Sequence, residues 1–277
     1  MQLTQPVPGM IFGVLKKMKI DIIYSYYNGI DLLEKYIDHW NNNFNNTKHK
    51  INFIIVDDHS IESYKVINVM KKKDIKCNLQ VYYVEDDILW NEMGARNLGG
   101  TQAISDVVLF LDWDHVITEE LIHEIFTWEF NEQSLYLFHR KQYKSHLPLW
   151  DNLLFNKWLQ ETKIIETPGP RGVPVRSAFC LTRKLWENVG GFDEDFAGNY
   201  GKYDRMFRTN LFNYGVKEIM INNTPLIVLK HGITHNVNRD PLSTKINVKL
   251  YKSKKHGFCK PDPLVRFNYI KQYENRI

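Results

Sequence analysis

No run of apolar residues in this sequence reaches the roughly 18 to 20 that a membrane-spanning helix requires, so the chain is expected to be soluble, or at most peripheral to a membrane. Cysteine is scarce. Cys77, Cys180 and Cys259 lie far apart with no C-x-x-C pair, which removes both a disulfide framework and a structural zinc site of ordinary spacing. Neither G-x-G-x-x-G nor G-x-x-x-x-G-K-[ST] occurs, and with them go the glycine-rich phosphate loops of two large nucleotide-binding classes. No internal repeat, low-complexity linker or break in composition divides the chain, so one domain is expected. Between Met1 and Lys19 the one apolar patch, Met10 to Leu15, is too short for a signal-peptide core. Residues 1–18 therefore read as a loose arm, and the expected location is cytoplasmic.

What is present is an ordinary globular composition, 43% hydrophobic and 25% charged over 277 residues, with fifteen Tyr, fifteen Phe and seven Trp. That is enough for one large core and for surfaces that stack on rings. The net charge of +4 is local, at Lys71 to Lys73 and at Lys252 to Lys260. Such a run is a solvated face, or a contact for a phosphate-rich partner or a membrane surface; residues 241–277 read as a basic C-terminal tail.

From Lys19 short apolar runs alternate with amphipathic stretches, as βαβ units do. Ile20 to Tyr24 reads as a strand, and Leu33, Ile37, Trp40 and Phe44 recur at the spacing of a helix over Asp31 to Asn43. The pattern then predicts a strand at Ile51 to Val56, a helix from Ile61 to Lys73, a strand at Leu79 to Val84 and a small-residue helix from Met93 to Ile104. Val107 to Leu111 is fully apolar, as in the centre of a parallel sheet. Beyond Thr118 a helix to about Phe130, a strand at Ser134 to His139 and strand-like runs from Val216 to Lys230 are predicted. The region of Trp150, Trp158, Pro168 and Trp186 is irregular and aromatic, where a second substrate is expected to dock. Polar clusters follow the first, second and fourth strands, and in open α/β sheets such strand ends converge on one ligand crevice.

Asp112-Trp113-Asp114 is the sharpest of these clusters. On extended chain the spacing i, i+2 turns both carboxylates to one face, where they suit Mn²⁺ or Mg²⁺ and leave positions open for phosphate oxygens. Asp58, in Asp57-Asp58-His59-Ser60, accepts from a base N–H or ribose hydroxyls, or caps a helix. Ser25, Tyr27 and Asn28 follow the first strand, where a tyrosine ring can stack on a base. Arg96, near a helix start, is suited to phosphate.

The order of these pieces resembles the family 2 glycosyltransferases with the GT-A fold, over roughly Lys19 to His235. Tyr27-Asn28, Asp57-Asp58-His59-Ser60, Ala95-Arg96-Asn97-Leu98-Gly99 and Asp112-Trp113-Asp114 match four motifs of that family in sequence. Gly190-Gly191-Phe192-Asp193-Glu194 is similar to the turn before its catalytic segment. That segment is Gly-x-Glu-Asp in the family; here Tyr203 stands where the glutamate would be, and Asp204 keeps the aspartate.

The resemblance implies a single α/β domain, Rossmann-like, with a mixed, mostly parallel central sheet flanked by helices: residues 19–115 for the nucleotide and 116–240 for acceptor and catalysis. It implies a hexosyltransferase that moves sugar from a nucleoside-diphosphate sugar, UDP being the family's commonest carrier, to a hydroxyl of a glycan or other acceptor. Ser25, Tyr27, Asn28, Asp58, Arg96, Asp112 and Trp113 would bind the donor. Asp112 and Asp114 would hold the metal with His231, favoured over His235. Asp204 would be the base of an inverting displacement, with Asp193, Glu194 and Asp195 as substitutes. Two rivals stand beside this reading: a phosphatase of the haloacid dehalogenase type using Asp112 and Asp114, and a non-catalytic module that binds nucleotide sugar or nucleic acid.

Overall fold

The computed structural model describes residues 18–44, 50–143, 177–229, 241–262 and 264–276. Its first half alternates strand and helix: β1 (Lys19–Tyr26), α1 (Ile30–Asn43), β2 (Lys50–Asp57), α2 (Val66–Met70), β3 (Asn78–Val84), α3 (Glu92–Gln102) and β4 (Val107–Leu111). The second half adds β5 (His115–Val116), α4 (Glu119–Ile125), β6 (Ser134–Tyr143), β7 (Phe179–Thr182), α5 (Arg183–Val189), α6 (Tyr203–Asn213), β8 (Lys217–Leu229), α7 (Pro241–Lys254) and β9 (Tyr269–Asn275). Among the described residues all nine strands form one sheet in the order β5-β8-β6-β7-β4-β1-β2-β3-β9. β4, β1, β2 and β3 run parallel, while β7 and β9 join them antiparallel on either side.

The central strands are buried on both faces, which is why they read as continuous apolar runs. Ile20, Ile22, Tyr24, Phe53, Ile55, Leu109 and Leu111 pack into one core layer with α1, α2 and α4. Ile23, Ile54, Val108 and Phe110 pack into the other with α3, α5 and α6. Each such side chain removed from water contributes about 1.5–3 kcal/mol. The small residues of α3 let it approach closely: a Cβ on Gly99 would sit 2.3 Å from Ile23 Cγ2. Asp21, fully buried in β1, accepts from Ile104 N, Ser105 N, Ser105 Oγ and Asn52 Nδ2 at 2.6–2.9 Å, and so pins the turn that leads α3 into β4.

Three expectations are corrected. The helix expected over Ile61 to Lys73 is a 3₁₀ turn at Glu62–Tyr64 followed by the short α2. Asp57 accepts from both Ser60 N and Val66 N at 3.0 Å, and Lys65 between them is extended. α4 stops at Ile125 rather than near Phe130. The segment from residue 241, expected as a basic tail, supplies α7 and the edge strand β9. β9 is held to β3 by backbone pairing, which demands few apolar side chains and so leaves little hydrophobic pattern to find. The arm at residues 1–17 and most of the segment around Trp150, Trp158 and Pro168 lie outside the described residues; Trp186 is a buried core residue of α5.

Candidate active site

The carboxyl ends of β1, β2 and β4 open onto a cavity of about 250 Å³ lined by Ser25, Tyr26, Tyr27, Asp58, Asp87, Ile88, Leu89, Trp90, Asn91, Glu92, Asp112, Trp113 and Asp114. Ser25, Tyr27, Asp58, Asp112, Trp113 and Asp114 are thus brought together as the strand-end argument requires. Asn28 is not in the lining. Its side chain accepts from Ile61 N at 3.0 Å and its N–H donates to Ser60 Oγ at 2.9 Å, so it knits the β1 loop to the β2 loop.

The Asp57–Asp58 pair divides its work because consecutive side chains on extended chain point apart. Asp57 is spent on the backbone of the β2 loop, while Asp58 faces the cavity and accepts from Asn91 Nδ2 at 3.3 Å. Enclosure pushes the Asp58 carboxyl up to about 7, against the pull of Asn91 and with help from the charges of Asp57 and Asp87.

The loop after β4 is held by side chains from β1 and α1. The carbonyls of Trp113, His115 and Ile117 accept from Tyr36 Oη (2.9 Å), Tyr24 Oη (3.1 Å) and His39 Nε2 (2.8 Å). Three alternate residues of this loop are thereby anchored through their carbonyls, which holds Asp114 between the first two and Asp112 just before them. Trp113 stands edge-on to Tyr26 at 4.8 Å and to Tyr36 at 5.0 Å.

Asp112, Asp114 and His115 each bring a ligand atom to within 4.8 Å of the others. The two carboxylates fit a hard divalent cation. His115 does not fit as a ligand in this arrangement: its Nδ1 accepts from Asp112 N at 3.0 Å, so the neutral ring carries its proton on Nε2. That nitrogen faces Asp114 Oδ1 at 3.6 Å and Asp112 Oδ2 at 3.9 Å. The ring thus lies beside both carboxylates, beyond hydrogen-bond distance of either. His231 and His235 lie outside the described residues.

Arg96 departs from the expectation of a phosphate contact. It is 1% exposed and absent from the cavity wall. Its guanidinium donates to Asp112 Oδ1, to Glu92 Oε1 (3.2 Å from Nε) and to the Ser177 carbonyl (2.7 Å). Burial raises the Asp112 carboxyl, but the charge of Arg96 outweighs it and holds the group below its ordinary value. Glu92 moves the other way, raised by burial and by the charge of Asp112. In sequence Glu92 looks like a carboxylate favoured by a helix dipole, and His115 like a core histidine, so neither signals a place in the site.

Asp204 lies in the first turn of α6, partly exposed, and is not among the residues that line the cavity. Its three substitutes are engaged. Glu194 accepts from Asn97 Nδ2, Val265 N and Arg266 N at 2.7–3.0 Å. Asp193 caps the 3₁₀ turn Glu194–Phe196 and pairs with Lys254, and Asp195 pairs with Lys254 and Arg266.

Residues 33–128, which carry β2, α3, β4 and the Asp112–Asp114 loop, match the family described as glycosyltransferase like family 2. S. aureus TarS residues 1–349, solved in complex with UDP-GlcNAc, superposes with a TM-score of 0.57 at 16% identity, over 79% of this chain and 60% of that one. The chain has the fold of a family 2 glycosyltransferase. A second GT-A-like neighbour, the mannosyltransferase PcManGT from Pyrobaculum calidifontis in complex with GDP-Man and Mn²⁺, gives a TM-score of 0.54 at 12% identity, over 87% of this chain and 63% of that one. The chain therefore spans about three fifths of the length of either relative. Among curated proteins none matches the sequence. Among the described residues no helix is long and apolar enough to cross a membrane.

Proposed function

We propose that the chain is a glycosyltransferase that takes its sugar from a nucleoside-diphosphate donor, UDP-linked by preference, and passes it to a hydroxyl of a glycan acceptor with inversion. The observation that carries this reading is the convergence of Ser25, Tyr27, Asp58, Asp112, Trp113 and Asp114 on one cavity at the strand ends. The two relatives solved with UDP-GlcNAc and with GDP-Man and Mn²⁺ support it. In this reading Asp58 accepts an N–H of the base or a ribose hydroxyl, and Tyr27, exposed on the rim, stacks on the base.

Asp112 and Asp114 would hold Mn²⁺ or Mg²⁺, which would neutralise charge on the diphosphate oxygens. Arg96 keeps Asp112 ionised, and His115 Nδ1 accepts from the Asp112 N–H. Asp204 takes the proton from the acceptor hydroxyl as that oxygen attacks the anomeric carbon, a role that contributes on the order of 10²- to 10⁴-fold.

Thermal unfolding with UDP, GDP, CDP and dTDP, each with and without Mn²⁺, tests the donor half. A nucleotide at about 100 times its dissociation constant stabilises the fold by roughly 2.7 kcal/mol, and one of the four is expected to do so only with metal present. Transfer from the matching sugar nucleotide completes the test. Binding without transfer or hydrolysis would leave a non-catalytic module, and no binding at all would sink the proposal.

A further inference from the structure

The residue that breaks the family's motif sits at a junction. Tyr203 is 8% exposed, at the first position of α6, and its hydroxyl donates to Glu92 Oε2. The other oxygen of Glu92 accepts from Arg96 Nε at 3.2 Å, and Arg96 in turn donates to Asp112 Oδ1. A continuous chain of charge-assisted bonds thus runs from the cation-facing aspartate, through α3, to the residue next to Asp204. Two of its members, Arg96 and Tyr203, are buried, and Glu92 itself reaches the cavity wall, 21% exposed.

A glutamate at position 203 would set a second carboxyl group against Glu92, whose own carboxyl burial and the charge of Asp112 already raise. The phenol instead donates to Glu92, so the tyrosine and Glu92 suit one another. The loop before α6 is held separately. Asn247 Nδ2 of α7 donates to the carbonyls of Phe196, Asn199 and Gly201 at 2.8–3.1 Å, and Lys202 adopts a left-handed φ of 72° just before the helix. The first turn of α6 is then fixed to the α3 side through Tyr203.

Resting on the transferase reading above, we infer that Glu92 and Tyr203 are positioning residues. Together they take the place of the family's missing glutamate and set Asp204 at the distance from the Asp112 end of the site at which it can act. Neither exchanges a proton with substrate in this scheme; they act through α6. A charge-assisted bond of this kind is stronger than a neutral one, and displacement of a reacting group by about 1 Å costs on the order of 10²-fold in rate.

The test is a double-mutant cycle on the full chain with Tyr203→Phe and Glu92→Gln. Transfer rate, donor KM, metal-dependent nucleotide affinity and melting temperature are measured in each variant. Tyr203→Phe is expected to lower kcat about 10²-fold with nucleotide affinity unchanged and melting temperature lowered by far less than that loss implies, and the double variant to be no slower than the slower single one, because Tyr203→Phe removes the donor and Glu92→Gln the charge of the same link. Tyr203→Glu should be inactive, and adding Glu92→Gln to it should restore activity in part, since the amide then donates to the new carboxylate.

A kcat for Tyr203→Phe equal to that of the wild type, or single effects that simply multiply, would overturn the inference while leaving the transferase reading intact. A loss of kcat accompanied in proportion by loss of stability and nucleotide affinity would assign the pair to structure alone and overturn it too. If the wild-type chain transfers nothing from any donor, both fall together. Should Tyr203→Phe not fold, Glu92→Gln, which alters neither shape nor volume, carries the same comparison.

Discussion

The Trp113 indole donates its Nε1–H to the Gly29 carbonyl across 3.0 Å, and a Cβ on Gly29 would lie 2.5 Å from that same ring. Gly29 has an ordinary φ of −98°, so its value there is the missing side chain rather than backbone freedom. Gly29→Ala is expected to push Trp113, and with it the Asp112–Asp114 loop, out of place, at a cost of about 1–3 kcal/mol from overpacking. Metal-dependent nucleotide affinity should fall. Adding Trp113→Phe should recover part of the stability; if Gly29→Ala binds and melts as the wild type does, the packing account is wrong.

Asp58 ties donor binding to pH. As a carboxylate it accepts an N–H or hydroxyl in a charge-assisted bond; protonated, it accepts only weakly and presents a donor of its own. With its carboxyl near 7, nucleotide affinity should rise as pH increases from 6 to 8, and Asp58→Asn should be weak and pH-independent across that range. The effect on stability has the opposite sense. The folded state keeps a proton that the unfolded chain has already released between about pH 4 and 7, so stability declines as pH rises through that window. Asp58→Asn should accordingly be more stable than the wild type at pH 8, by about 1 to 2 kcal/mol given the solvent reaching the pocket. Denaturant unfolding at pH 5 and pH 8 checks it, and equal differences at the two values would exclude the mechanism.

His39 sets the acid limit. Its Nε2–H donates to Ile117 O, its Nδ1 accepts from Asn43 Nδ2 at 2.7 Å, and burial lowers the imidazole from 6.5 to about 4. The unfolded chain takes up a proton below 6.5 that the folded chain refuses until about 4. Stability present above pH 6.5 is therefore lost as pH falls through this interval, by up to about 3 kcal/mol. Urea midpoints of the wild type and His39→Gln should converge with falling pH. Parallel curves would mean that other groups dominate acid unfolding.

Asp114→Asn and Asp204→Asn should fail in different ways. The first is expected to abolish the Mn²⁺ dependence of nucleotide binding. The second is expected to keep that binding and lose kcat by on the order of 10²- to 10⁴-fold. Isothermal titration alongside initial rates separates them. Loss of nucleotide binding in Asp204→Asn, or unchanged metal dependence in Asp114→Asn, would remove that residue from its assigned role.

The sequence by itself determined the parallel core and the place of the cavity. Strands buried on both faces must be apolar, as Phe53 to Val56 and Val107 to Leu111 are, and the polar residues that end them must share one edge of the sheet. That reasoning was enough to gather Ser25, Tyr27, Asp58, Asp112, Trp113 and Asp114. Tertiary structure alone decided which polar groups face the cavity and which hold it together. Arg96 reads like a phosphate ligand and is instead buried against Asp112, and Glu194 reads like a spare base and is filled by three N–H donors. β9 was hidden because an edge strand is specified by its neighbour's backbone rather than by its own side chains. The bond from Tyr203 to Glu92 spans 111 positions. Periodicity and motif spacing report only neighbours along the chain, whereas the contacts that assign roles in this site are made by residues far apart in it.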